Sequence, residues 1–139
     1  MNRSSALAIF IVAVAASGAY LLTIDPEAEK RASGPPIIQV KVPVLDGAAL
    51  EGEAIFNAKC ATCHGSDAAG KDEVAPPLVH KIYEPSHHGD MAFLLAVRQG
   101  VRAHHWPFGD MPPVEGLTER DVAMIVAYVR TLQRENGIH

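Results

Sequence analysis

The hydrophobic residues of the chain fall into one long uninterrupted run and several shorter periodic segments. Residues 4–24 form a run without a charged side chain. At a helical rise of about 1.5 Å per residue this run reaches about 31 Å, which is enough to span the hydrocarbon core of a bilayer. Arg3 precedes the run and acidic residues follow it, so the positive-inside rule places its start in the cytoplasm and the rest of the chain across the membrane.

Residues 1–24 therefore predict either a retained transmembrane anchor or a cleaved signal peptide. Small side chains at positions 16–19 suit a signal peptidase. The apolar run continues over residues 20–24, and cleavage would leave that part exposed, which favours the anchor. In both alternatives the remainder of the chain is exported.

Residues 25–48 predict a linker. The pair Asp25-Pro26 and the glycine-proline stretch at 34–36 disfavour helix. Residues 37–42 alternate weakly and are rich in β-branched side chains, which is typical of a short strand or of an extended segment lying on the domain. A semi-rigid spacer is the alternative that we favour.

A first helix is predicted over residues 49–59, which are rich in alanine, glutamate and lysine. Gly52 and Phe56 share one face with Cys60, and Gly52 would allow another helix to approach closely. A second helix is predicted over residues 90–99, with Asp90 as its N-cap and an apolar stripe along one side.

The last helix begins at Thr118, where Asp121 completes a capping box. It ends at residues 136–137, which are an Asn-Gly pair. Its apolar side chains follow the helical period, and we expect this face to pack across the first helix near Gly52 and Phe56. Residues 49–139 are therefore predicted to be one all-α domain.

The composition limits the partners and the size of the core. Twelve basic and 16 acidic residues give a formal charge of −4, and no basic run occurs, so nucleic acid is excluded as a partner. Aromatic residues make up 6% of the chain. A large apolar cofactor would supply part of the interior that such a composition leaves unfilled.

The strongest chemical signal is the pentapeptide at 60–64, Cys-Ala-Thr-Cys-His, which is the signature of c-type haem attachment. Cys60 and Cys63 can each form a thioether with one vinyl group of a haem, and His64 can then bind the iron as proximal ligand. The alternatives for the two thiols are a disulfide, a redox motif and half of a zinc site completed by histidines.

Two proline-rich segments provide further candidates. In residues 75–78, the carbonyl of Pro76 is our candidate acceptor for the Nδ1–H of His64, which would fix the orientation of the ring. Met111 lies in the segment Gly-Asp-Met-Pro-Pro, and its thioether can complete a His/Met axial pair on haem iron. We expect Met91 and Met124, which fall on predicted helices, to pack in the core.

Histidines cluster in the sequence at 87–88 and 104–105. His104 or His105 could replace Met111 on iron, or histidines of these pairs could bind copper, for which imidazole is a suitable ligand. Surface positions near the haem crevice are the expectation for all four. Trp106 could line the pocket or belong to the core.

Together these motifs resemble class I cytochrome c in its small bacterial form. The resemblance covers residues 49–138, and it is carried by Gly52, Phe56, the pentapeptide 60–64 with Gly65, residues 75–78, Met111-Pro112 and residues 125–129. It implies an all-α fold of three to five helices around one covalent haem c, with crossed terminal helices. By position it implies that Cys60 and Cys63 hold the haem, that His64 is the proximal ligand and that Met111 is the distal ligand.

The function implied by this resemblance is outer-sphere transfer of one electron to and from redox partner proteins, not catalysis. The chain would be a membrane-tethered carrier or the haem subunit of an oxidoreductase. Its start would be cytoplasmic and its haem domain would lie on the periplasmic side of the bacterial inner membrane, or free in the periplasm after cleavage. The alternatives are a haem-based sensor that binds a small ligand in place of Met111, and a copper-binding protein that uses the histidine pairs.

Overall fold

The computed structural model describes residues 34–139, so the run predicted over 1–24 and the first part of the linker lie outside the described residues. The described part is helical: α1 Gly47–Lys59, α2 Ala61–His64, α3 Asp90–Gln99 and α4 Glu119–Glu135, with single 3-10 turns at Ser66–Ala68 and Lys81–Tyr83. Between residues 34 and 139 there is no strand, only two isolated bridges. The all-α prediction is confirmed for this region. None of the helices among these described residues is long and apolar enough to cross a membrane.

Helices α1 and α4 cross at Gly52, as the sequence predicted. A Cβ added to Gly52 would lie 1.9 Å from the Met124 carbonyl oxygen and 3.0 Å from the Tyr128 Cβ. The absence of a side chain therefore lets the two backbones touch. Phe56, one turn further along α1, packs on Tyr128 with the ring centroids 5.4 Å apart and the planes tilted by 55°.

The main core forms around this crossing. Phe56, Tyr128, Val129 and Leu132 have no exposed surface. The apolar face predicted for the last helix is thus the face that is buried against α1. The predicted capping box is also present, because the Thr118 hydroxyl accepts from the Asp121 amide while the Asp121 carboxylate accepts from the Thr118 amide.

Helix α3 packs on the other side of α4 through Val97, which contacts Val122 and Val126 in a second apolar cluster. Its bounds are those predicted, but the N-cap is Gly89, and Asp90 is the first helical residue. The Asp90 carboxylate accepts instead from the guanidinium of Arg130.

Two helical methionines were expected in the core, and the prediction is wrong for Met91, which is 63% exposed. Met91 stands in the first turn of α3, on the side of that helix that faces solvent, so position on a helix did not suffice to bury it. Met124 is partly buried at the α1–α4 crossing.

Residues 35–45 lie on the domain as an extended segment. The amide of Ile38 donates to the Ala69 carbonyl at 3.2 Å, and Lys41 exchanges two hydrogen bonds with the side chain of Asn136. Ile38, Val40 and Leu45 pack on the main core. Of the two alternatives, the extended segment lying on the domain describes this stretch, and the semi-rigid spacer does not. Helix α1 begins two residues before the predicted start.

The segment 65–75, expected to be a polar surface loop, is partly internal. Gly65 and residues 68–70 are buried. Gly65 has a φ of 73°, and a Cβ there would lie 2.5 Å from the Gly70 carbonyl oxygen. Small residues therefore fold this segment tightly beneath the pentapeptide, an arrangement that its polar composition did not reveal.

Candidate functional site

The residues singled out by the sequence surround one cavity. Its volume is about 480 Å³, within the range of small-molecule and cofactor sites. Cys60, Cys63, His64 and Met111 all border it. Most of the remaining wall is apolar and comes from α1, α3, α4 and the segment 100–114, and it includes Phe56, Phe93, Leu95, Val97, Val122 and Ile125.

Cys60 joins α1 to α2, and the single turn of α2 carries Cys63 and His64 to the same wall. No disulfide joins the two cysteines, of which Cys60 is half-buried and Cys63 is exposed. Burial, with a smaller contribution from the neighbouring Cys63, raises the pKa of the Cys60 thiol to about 11. Before a haem is attached, the Cys60 thiol therefore carries a smaller thiolate fraction at neutral pH than an ordinary cysteine.

The His64 ring has a fixed orientation. Its Nδ1 lies 2.9 Å from the Pro76 carbonyl oxygen, as predicted. Because a carbonyl only accepts, Nδ1 carries the proton and Nε2 keeps its lone pair. Burial lowers the pKa of His64, against the opposing effect of the Pro76 hydrogen bond, and so favours the neutral ring that can bind a metal.

Met111 lies on a braced loop. Its amide and carbonyl exchange two hydrogen bonds of 2.9 Å with Val101. Gly100, the C-cap of α3, has a φ of 73°, and a Cβ there would lie 2.4 Å from the Met111 carbonyl oxygen. The loop therefore packs directly on the end of α3. A further hydrogen bond of 2.8 Å runs from the Ala103 amide to the Asp110 carboxylate.

The family model described as cytochrome c matches residues 49–133, which is more than half of the chain. The chain belongs to the cytochrome c family. A comparison with curated proteins found no significant match. The cofactor of a cytochrome c domain is covalent haem c, and the Cys60 and Cys63 pair fits the attachment motif.

A buried polar atom in this cytochrome c supports the fit of a haem. Among residues 34–139, the indole N–H of Trp106 is the buried side-chain group without a hydrogen bond of normal geometry. The Tyr83 hydroxyl lies near it; burial raises the pKa of Tyr83, and this proximity opposes that effect with a smaller lowering. Trp106 borders the cavity, stacks on Phe108 at 5.8 Å and meets the edge of His80 at 5.2 Å. An acceptor inside the cavity, such as a haem propionate, would satisfy this donor, because buried polar groups are otherwise costly.

A zinc site on the two cysteines receives no support from the geometry. Within the described residues, the side chains close enough to share a metal ion are His87, His88 and His105, without either cysteine. A haem therefore accounts for the thiols of this cytochrome c better than a tetrahedral zinc does.

Arg130 and Gln133 were missed by the sequence reasoning. Arg130 is 7% exposed, and its guanidinium donates to the backbone carbonyls of Tyr83 and His88 as well as to Asp90 and Gln133. Gln133 donates in turn to the carbonyls of Leu78 and Tyr83. The helical period could have found them: Arg130 lies four residues after the apolar position 126, and Gln133 lies four residues after 129. Both therefore continue the apolar stripe of the helix.

Proposed function

We propose that this cytochrome c is a mono-haem, class I electron carrier. Cys60 and Cys63 hold the haem, His64 is the proximal ligand and Met111 is the distal ligand. The observation that carries the proposal is that His64, with an oriented imidazole, and Met111, with a backbone held by Val101, border the same largely apolar cavity. Bound haem supplies a reversible one-electron couple.

The protein residues would set the potential of that couple. A Met/His axial pair raises the potential relative to two imidazoles. The Pro76 carbonyl orients His64, and the apolar wall excludes water and disfavours the more highly charged oxidised state. If His64 and Met111 both bound the iron, no position on it would remain for a substrate, as in a relay of electrons.

The ligation is tested by replacing Met111 with alanine in the haem-loaded protein. We expect loss of the weak far-red iron–sulfur band of the ferric form and a lower reduction potential, measured by optical spectroscopy and redox titration. Met91→Ala is the matched control, because Met91 is exposed on α3. Retention of the band in Met111→Ala, or its loss in the control, would contradict the assignment.

The rate of carbon monoxide binding separates a carrier from a sensor of small ligands. A sensor would exchange Met111 for a gas, so its ferrous form would bind carbon monoxide rapidly. The bracing of Met111 by Val101 and Gly100 favours the carrier. We expect carbon monoxide to bind Met111→Ala at least ten times faster than the parent.

The membrane location belongs to the same proposal. The apolar run at 4–24 and the charges around it favour an anchor in the bacterial inner membrane, with the haem domain in the periplasm. A tether would raise the effective concentration of the carrier near membrane-bound redox partners, including an oxidoreductase of which it could be a subunit. Membrane fractionation with an intact mass tests this, because a soluble protein lacking residues 1–19 would refute the anchor.

A further inference from the structure

Four histidines meet at the rim of the haem cavity, although they come from two segments of the chain. The segment before α3 provides His87 and His88, and the segment after it provides His104 and His105. Ring centroids of His87 and His88 lie 4.7 Å apart, those of His104 and His105 lie 4.2 Å apart, and His105 lies 5.3 Å from both His87 and His88. His88, His104 and His105 also border the cavity.

Three of these rings bring their possible metal-binding nitrogens close together. The candidate nitrogens of His87, His88 and His105 all lie within 4.8 Å of one another. The Nε2 atoms of His87 and His105 are 3.4 Å apart in a hydrogen bond, which a metal ion would replace once the donor ring carries its proton on Nδ1. With metal–nitrogen bonds of about 2.0–2.1 Å, adjacent ligands of a tetrahedral site lie about 3.3–3.4 Å apart, so this pair already has the required separation.

The surrounding backbone fixes the tautomer of two rings. His88 Nδ1 lies 2.7 Å from the Ile82 carbonyl oxygen, and His104 Nδ1 lies 2.8 Å from the Arg102 carbonyl oxygen. Since each carbonyl only accepts, both Nδ1 atoms carry protons and both Nε2 atoms offer lone pairs. Histidine ligands of metals are oriented in the same way by a hydrogen bond from the other ring nitrogen.

We propose that His87, His88 and His105 bind one divalent transition-metal ion, separate from the haem iron. Three imidazoles form a site of borderline softness, so the affinity follows the order of the first-row metals and Cu²⁺ binds more tightly than Zn²⁺. His87 and His105 are exposed, which leaves an open side for water and lets the rings rotate to close the wider pairs. His88 is held from behind, because its carbonyl accepts from the buried Arg130.

The test is direct titration of the full-length, untagged, haem-loaded protein in detergent with Cu²⁺ and then Zn²⁺. The haem is kept ferric so that copper takes no electron from it. We expect one saturable Cu²⁺ site and at least tenfold weaker binding in the double variant His87→Ala/His105→Ala. The electron paramagnetic resonance spectrum of the bound Cu²⁺ should show coupling to imidazole nitrogens. His139→Ala is the control, because His139 is exposed at the C-terminus outside the cluster.

Equal binding by the parent and the double variant, or no saturable site in the parent, would overturn the proposal. The haem spectrum of each variant shows whether the domain is intact. It also separates the proposal from haem-iron ligation by His105, because ligation of the iron by His105 would change the haem spectrum of the double variant. An unchanged haem spectrum with lost Cu²⁺ binding supports a second metal site.

Discussion

Replacement of Gly52 by alanine should destabilise the protein, although alanine is the better helix former. The added Cβ would stand 1.9 Å from the Met124 carbonyl oxygen, whereas an unstrained carbon–oxygen contact needs more than 3 Å. The neighbouring atom belongs to backbone, so α1 and α4 must separate by about 1 Å. Overpacking costs about 1–3 kcal/mol, and the upper part of that range, about 2–3 kcal/mol, applies here because a backbone atom cannot rotate away and because separation also loosens the contact of Phe56 with Tyr128.

Helix propensity acts in the opposite direction by about 1 kcal/mol. We therefore expect a net loss of about 1–2 kcal/mol in the free energy of unfolding, measured by urea denaturation of the haem-loaded protein with circular dichroism. Ala54→Gly and Ala58→Gly, at exposed positions of the same helix, measure the propensity contribution alone. A Gly52→Ala protein as stable as the parent would show that the crossing is not in tight contact, and the reasoning would fail.

Three further predictions concern α4. Thr118→Ala should lower the free energy of unfolding by about 1 kcal/mol through loss of the cap, without changing the haem spectrum. Hydrogen bonds from the hydroxyl and amide of Thr118 lower the pKa of Asp121 below its ordinary value of 3.8. The ionised carboxylate therefore stabilises the fold fully at pH values above 3.8, and this stabilisation is lost as the pH falls through the lowered pKa. The urea midpoint of Asp121→Asn should consequently lie below that of the parent at pH 7 and approach it in acid; a constant difference would exclude this linkage. Arg130→Lys should lower the free energy of unfolding in urea by about 2–3 kcal/mol, because one ammonium cannot satisfy the part-buried carbonyls of Tyr83 and His88 together. A loss below about 1 kcal/mol would contradict that account.

The sequence predicted those features that depend on local chemistry or on periodicity. The pentapeptide at 60–64, the capping box at Thr118 and the Pro76 carbonyl beside His64 each follow from a few neighbouring residues. The crossing at Gly52 followed from combining a side-chain-free position with an apolar face on another helix. These predictions succeeded because the relevant partners were few.

Features that depend on tertiary packing were less accessible. The exposure of Met91 and the burial of residues 68–70 are decided by elements distant in the chain. The docking of residues 35–45 depends on partners as far away as Asn136. His105 approaches His87 because the segment after α3 runs back to the start of that helix, which the separate dipeptides do not reveal.

The hydrogen bonds of Arg130 and Gln133 imply that two parts of the molecule unfold locally as one unit. The guanidinium joins α4 to the carbonyls at 83 and 88, and Gln133 extends the connection to residue 78. Cooperative opening units in proteins often join elements that share such buried bonds. The carbonyls at 78, 83 and 88 lie in the segment that carries His87 and His88. Although this segment lies outside the long helices, its amide protons should thus exchange with deuterium as slowly as those of α4.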